Sequence, residues 1–595
     1  MKTEPATSPD PGAMFDRASV AALIGRGEIL AAYDIAHAAV VAGEDGGAAA
    51  YAAVLCLARA GALDFARSEY VRLGLDRLDE HDAVALGARL LKDVALRARG
   101  ARRLAFAGAS IRQYTKLHRR FGGIYGAVNA ATMTRVSGDA ETAASLAKAA
   151  LAIPPAQDLV GEAAYYDAAS RAEAFFLVGD LDAACRTLSR AVALAPKAYA
   201  AHAATLRQLE MLCRETGSDP SWLTPFRPPV CAHFTGHILD MSGDSALSGW
   251  ALRKRVDELV SAQRVGFGYG GLAAGADIIF AEALLDAGAE LHVVLPVERQ
   301  SFVAVSVAPF GETWVRRFER CLAQATSLRF ASTDPYLGDE QVFAYSSQFA
   351  MGCAVLRSQT LATEAIQLAV WDGHVGAGPA GVHADLSYWG RSGRRRVALR
   401  VDRPPPIARR SEEGVGPRRV MKAMLFADIQ GFGALRDDQI PVFVDAVMGR
   451  LATTIEGLVA PPVHLETWGD GLFLVFDEPV DAALAALALL ETHQALDMRS
   501  LGLPRGLGLR IGGHYGPVHL RTNPMTKSLA VLGAHVVVAA RIEPDAAPGS
   551  VCVSEALAGA LATFHADKVS CGYVGRTQGR KGFPATPIFS LTRAF

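Results

Sequence analysis

Two acidic motifs, each fused to a strand pattern, constrain this chain more than anything else in it. In FADIQGFGAL, Asp428 ends the apolar run VMKAMLFAD; in HLETWGDGLFLVF, Asp470 precedes GLFLVF. Runs so rich in apolar, β-branched and aromatic residues predict buried strands, and Gly431, Gly469 and Gly471 predict the turns beside them. Taken singly, either aspartate would pass for a turn cap. Two carboxylates brought together at strand ends cannot both stay ionised without a partner, so the pair predicts a divalent cation site.

With GAHVVVAARIEP and RKGF further on, the motifs fall in the order found in class III adenylate/guanylate cyclases, and residues 420–595 resemble that catalytic domain. The resemblance implies an α+β fold working as a homodimer on ATP or GTP with two Mg²⁺ or Mn²⁺ ions per site. It makes Asp428 and Asp470 the metal carboxylates and the Ile429 carbonyl a further ligand. It gives Gly431 and Phe432 the triphosphate turn, Arg541 the transition state and Lys581 a phosphate. It covers under a third of the chain. The chemistry needs these residue types. When a ribose 3′-hydroxyl attacks the α-phosphorus and pyrophosphate leaves, charge builds on phosphoryl oxygens and the hydroxyl loses a proton. A planar guanidinium suits the spreading charge, and an ammonium the terminal phosphate.

The resemblance puts the base-reading residue at Glu466. A carboxylate can accept both the N1–H and the exocyclic amine of guanine, which favours GTP. The companion position is Ala530, which offers no side-chain hydrogen bond; His464, Thr467 and His535 are the polar groups nearby in sequence. The family's ribose-orienting asparagine is replaced by Val537, and His535 is the candidate substitute. Val537 also keeps open an alternative: a degenerate cyclase domain that senses a nucleotide without turnover.

The 595 residues suffice for three or four domains, and 60 basic against 61 acidic residues leave a net charge of −1. That balance advertises neither nucleic acid nor an anionic membrane. Eight cysteines are scattered without CxxC spacing, as in a reducing compartment. The start, MKTEPATSPDPG, has no apolar signal core, and no apolar run is long enough for a membrane span, so a cytoplasmic protein is expected.

Residues 16–215 are alanine-rich with apolar positions at three- and four-residue spacing, predicting an all-α region. ATMTRVSGDAETAASLAKAALAIPP resembles AEAFFLVGDLDAACRTLSRAVALAP; each has a Gly-Asp turn and a closing proline. That order is similar to tetratricopeptide repeats, which implies a protein partner, although the turns are spaced more widely than the usual ~34 residues. A plain helical bundle would satisfy the same pattern.

Residues 228–390 alternate strand and helix patterns, predicting an α/β domain with a parallel sheet. G-x-G-x-x-G is met at Gly266, Gly268 and Gly271. The block resembles the Rossmann-like domains related to lonely-guy and DNA-processing-A proteins, with GGLAAGAD at their glycine loop. This implies a nucleotide-like ligand at Gly268, Gly270, Gly271 and Gly275, with Glu364 reaching in from a later helix. The same glycines would equally serve tight strand–helix packing. Residues 391–419, with basic runs and a triple proline, are expected to be a linker.

Overall fold

The computed structural model describes residues 15–44, 46–238, 245–376, 378–402, 419–579 and 585–594. Among these, the N-terminal part is helical, from Arg17–Arg26 to Tyr199–Thr216. Fully buried alanines such as Ala36, Ala88, Ala131 and Ala172 let neighbouring helices approach closely. Both Gly-Asp segments make the same hairpin. Ile124–Val136 turns through Gly138 (φ 101°) into Ala140–Leu151, and Gly161–Leu177 turns through Gly179 (φ 87°) into Leu181–Leu194. Asp139 and Asp180 cap the second helices by accepting from the N–H of Thr142 (3.0 Å) and Ala183 (2.9 Å). Such caps contribute about 1 kcal/mol each.

The middle region is a parallel sheet of β1 (Val230–Gly236), β2 (Val265–Gly270), β3 (Glu290–Leu295), β4 (Ser327–Phe330), β5 (Ala365–Trp371) and β6 (Arg396–Arg400), ordered β4-β3-β2-β1-β5-β6. Ala276–Asp286 and Glu312–Gln324 share a core with one face of the sheet. Gln341–Leu361 packs Ala350 and Ala354 against Cys231, Phe267 and Tyr269 of the other. β6 lies inside the segment expected to be linker. Its RVALR pattern alternates outward arginines with half-buried residues, and that edge-strand alternation is hard to distinguish from a charged linker. Residues 403–418 of that segment fall outside the described residues.

The C-terminal region is a mixed sheet of β7 (Val420–Gln430), β8 (His464–Trp468), β9 (Gly471–Phe476), β10 (Gly508–Thr522), β11 (Leu529–Leu532), β12 (Ser550–Ser554), β13 (Val569–Arg576) and β14 (Pro587–Arg593). Its order is β13-β14-β12-β10-β7-β9-β8, with β11 paired to β10. Helices Pro479–Gln494 and Glu555–Phe564 bury alanines and leucines against it. The three regions are packed together. Tyr573 and Arg576 on β13 bond Asp34 of the helical region, while Glu555–Phe564 lies against Gln341–Leu361 of the middle domain, glycine to glycine at Gly352 and Gly559. Among the described residues no helix is long and apolar enough to cross a membrane.

Candidate active site

Asp428 sits near the end of β7, and Asp470 in the tight turn joining β8 to β9, where Gly469 takes φ 66°. Because β9 pairs with β7, the two motifs converge. The two carboxyl groups lie near enough for the charge of Asp428 to act on Asp470. Burial first, and then the Asp428 charge, raise Asp470 above the usual carboxylate range.

Two residues the sequence reading missed complete this cluster. Arg510 on β10 is the register partner of Asp428 and donates to its Oδ2 at 2.8 Å. The same guanidinium pairs with Glu543, two residues beyond Arg541. Burial raises Glu543 to about 6, against the pull of Arg510. A charged side chain inside the apolar strand LRIGG was the available signal, since such a group needs a partner when half-buried.

Beyond Asp428, the chain turns at Gly431 (φ 93°), and Phe432 packs on Phe443 with ring centroids 4.9 Å apart. An added Cβ at Gly433 would meet nothing within 4 Å, whereas one at Gly431 would lie 3.2 Å from the Gly506 carbonyl oxygen, so the open backbone of this turn is at Gly433. Glu466 is half-exposed on β8, with its Oε1 3.1 Å from His464 Nε2. Thr467 is exposed, and Ala530 is buried on β11. Arg541 lies in the last turn of Ala534–Ile542, and Val537 on the same helix is 38% exposed. His535 is placed differently from the expectation that it orients ribose: it is buried, with Nδ1 2.8 Å from His514 Nε2. Lys581 lies outside the described residues.

The carboxylates fit a cation in part. Among the described residues no three His, Cys, Asp or Glu side chains gather into a closed cage. An ion at Asp428 and Asp470 would therefore take its other ligands from a backbone carbonyl, water and phosphate, as Mg²⁺ commonly does. Arg510 already shows that Asp428 is matched to a positive partner.

In the middle domain, Gly266, Gly268 and Gly270 fall inside β2 rather than in a loop. Only Gly271 and Gly275 belong to the turn before Ala276–Asp286, and Gly275 takes φ 107°. The first turn of that helix carries Asp277, whose Oδ2 accepts from the Ala273 N–H at 3.3 Å and whose other oxygen is buried. Burial pushes Asp277 up to about 7. Glu364 does not join this turn: it precedes β5, at the opposite edge of the parallel sheet, and pairs with Arg395 at 3.0 Å.

Residues 419–582 match the family described as the adenylate and guanylate cyclase catalytic domain. Putative adenylate cyclase 3 of Rhizobium meliloti is 31% identical over 144 residues, 24% of this chain and 23% of that protein. A pH-sensitive adenylate cyclase of Mycobacterium tuberculosis is 28% identical over 174 residues, 28% of this chain and 39% of its own length. Among solved structures, the adenylyl cyclase CyaB from P. aeruginosa is 18% identical, with a TM-score of 0.26 over 30% of this chain and 96% of that one. The guanylyl cyclase Cya2 is 22% identical, with a TM-score of 0.25 over 30% and 93%. By the family match and the two curated relatives, residues 419–582 are a class III adenylate/guanylate cyclase catalytic domain. The matched stretch spans well under half of each curated relative.

Proposed function

We propose that this chain converts a nucleoside triphosphate to a 3′,5′-cyclic nucleotide and pyrophosphate. The observation that carries the reading is the convergence of Asp428 and Asp470 across the β7–β9 pairing, in a domain of the matched family. Asp428, Asp470 and the Ile429 carbonyl would hold Mg²⁺ or Mn²⁺, which when bound supplies a Lewis acid for the attacking hydroxyl and for the phosphates. The open amides from Gly431 to Gly433 accommodate phosphate oxygens. Arg541 is the group for charge developing on the α-phosphoryl oxygens.

The domain works as a homodimer in this reading. Leu465, Trp468, Leu532 and Val537 are exposed by 38–53% on the strands and helix that carry the site, whereas Glu555–Phe564 is buried under the middle domain. Apolar groups left exposed beside the site suit a second copy.

Both curated relatives are named adenylate cyclases; Glu466 is the residue that turns this chain toward guanine. The deciding experiment incubates the full-length protein with GTP or ATP and Mg²⁺ or Mn²⁺ and identifies the product. Cyclic GTP in excess over cyclic AMP is expected, and no cyclic product with any pair rejects the reading. Glu466→Lys should move preference toward ATP, since an ammonium can donate to adenine N1 but accepts nothing from guanine. Unchanged selectivity in an active variant would assign the base to another residue.

A further inference from the structure

The helix Ala534–Ile542, which carries Val537 and Arg541, is held from behind by a buried chain of polar groups. His535 Nδ1 lies 2.8 Å from His514 Nε2 with the rings stacked at 4°, and His514 Nδ1 lies 2.7 Å from Ser554 Oγ. With both rings neutral the chain can run in either direction, from His535 Nδ1–H through His514 Nδ1–H to Ser554, or from the Ser554 hydroxyl through His514 Nε2–H to His535 Nδ1. Burial keeps both imidazoles well below the usual histidine range, hence neutral, as this arrangement requires. β10 is bare where the imidazole sits, since a Cβ at Gly516 would be 2.5 Å from His535 Nδ1.

Both ends of this chain reach the middle domain. At one end Tyr345, on Gln341–Leu361, meets the His535 ring edge to face, with centroids 5.0 Å apart at 84°. At the other end Ser554 caps Glu555–Phe564 by accepting from the Leu557 N–H at 3.2 Å. Glu555 is then gripped by Arg329 of β4 through hydrogen bonds of 3.0 and 3.1 Å. The two helices close the ring where Gly352 meets Gly559: a Cβ on either glycine would lie 2.8 Å from the Cα of the other.

We propose that Tyr345, His535 and His514 are positioning residues, which fix the helix bearing Arg541 and place it under the control of the middle domain. Displacing Gln341–Leu361 then changes turnover rather than substrate affinity, because the groups that bind phosphate and base lie elsewhere. The proposal rests on the cyclase reading for its catalytic consequence, while its structural core, the coupling of the two helices, stands apart from it.

The test uses the full-length protein with Tyr345→Ala and Tyr345→Phe, following turnover, KM and hydrogen exchange of 534–542. Tyr345→Ala is expected to lower turnover at least tenfold with KM within twofold, and to lower exchange protection of the helix by a similar factor. Tyr345→Phe keeps the ring and should restore both. Should Tyr345→Ala not fold, Tyr345→Leu, which fills the space without an aromatic edge, replaces it with the same readouts. Protection unchanged in the folded variant overturns the proposal. Inactivity of every form, wild type included, with protection still lost on removing the ring would instead count against the cyclase reading and leave the coupling standing.

Discussion

Glycines gather at the end of β2 in the middle domain and at the end of β7 in the cyclase domain, and their surroundings differ. A Cβ at Gly266 would sit 2.4 Å from Pro229, at Gly268 2.3 Å from Leu284, and at Gly270 2.6 Å from the Phe234 ring and 2.7 Å from the Phe234 carbonyl oxygen. Those glycines are there because the core leaves no room. At β7, Gly431 is exposed at φ 93° and Gly433 has open space around it. Along β2 the place of the missing side chains is taken by the protein itself; after β7 a Cβ at Gly431 would lie 3.2 Å from the Gly506 carbonyl oxygen, and the open space is at Gly433. The helix start beside the first turn also faces its own carboxyl, Asp277, where an anion would otherwise be favoured.

The largest expected effect separates the two glycine clusters by chemistry. Asp428→Ala and Asp470→Ala should each lower turnover by about 10³-fold or more, some 4 kcal/mol of transition-state stabilisation. The unfolding midpoint should hardly move for Asp470→Ala, since it relieves one of two adjacent carboxylates, and should fall modestly for Asp428→Ala, which leaves Arg510 with Glu543 alone. Near wild-type turnover in both variants would remove the two-metal assignment, and with it the functional side of the comparison.

Next comes a substitution of the glycines themselves. Gly270→Ala forces a methyl into the Phe234 ring and carbonyl and should destabilise the chain by ~3 kcal/mol in urea unfolding. Gly433→Ala should change stability by less than ~0.5 kcal/mol while lowering turnover, because the turn loses its open approach. Equal stability losses at the two positions would show that both are packing glycines.

How much of this was legible beforehand follows from what each pattern depends on. The strands around Asp428 and Asp470 were readable because both are apolar runs bounded by glycine, and the alternation after residue 228 announced a parallel sheet. G-x-G-x-x-G left packing and phosphate approach equally open because the motif records where side chains are missing, not what occupies the space; for Gly266, Gly268 and Gly270 only Pro229, Leu284 and Phe234, distant in sequence, decide that. Glu364 was misplaced for a related reason: which end of a parallel strand a residue caps depends on where β5 begins. Arg510 and Glu543 escaped because their partner, Asp428, is set by strand register. His535 looked like a polar group beside the site, and its burial depends on Tyr345 from another domain.

A third expectation contrasts the buried histidines with the buried acids. His233 on β1 and His535 at the seam are both pushed down to about 3 by burial, from 6.5. Below pH 6.5 the unfolded chain binds protons that the folded chain refuses, so their contribution is complete above 6.5 and declines as pH falls toward 3. At pH 5 each imidazole should cost ~2 kcal/mol. Asp277 and Asp385, raised by burial to about 7 and 6, act in the opposite sense. The clean readout is therefore a difference: between pH 7 and pH 5, His535→Gln should lose ~2 kcal/mol less than wild type. An identical loss in both would mean that the seam does not hold this imidazole neutral.

The smallest expected effect lies on the open face, at Val537. The valine is 38% exposed, so Val537→Asn should leave stability nearly unchanged. An amide there could hold the ribose as its 3′-hydroxyl lines up with the α-phosphorus, a contact that a valine cannot make. Alignment matters most as the bond forms, so the gain should appear in turnover, about tenfold or ~1.4 kcal/mol, with KM little altered. A fall in KM with constant turnover would place the amide in ground-state binding instead. If wild type and Val537→Asn are both inert with every nucleotide and metal while nucleotide still binds, Val537 marks a domain that has kept its phosphate turn and lost its chemistry. The contrast between the two glycine clusters would then be one between packing and sensing, with no catalysis at either.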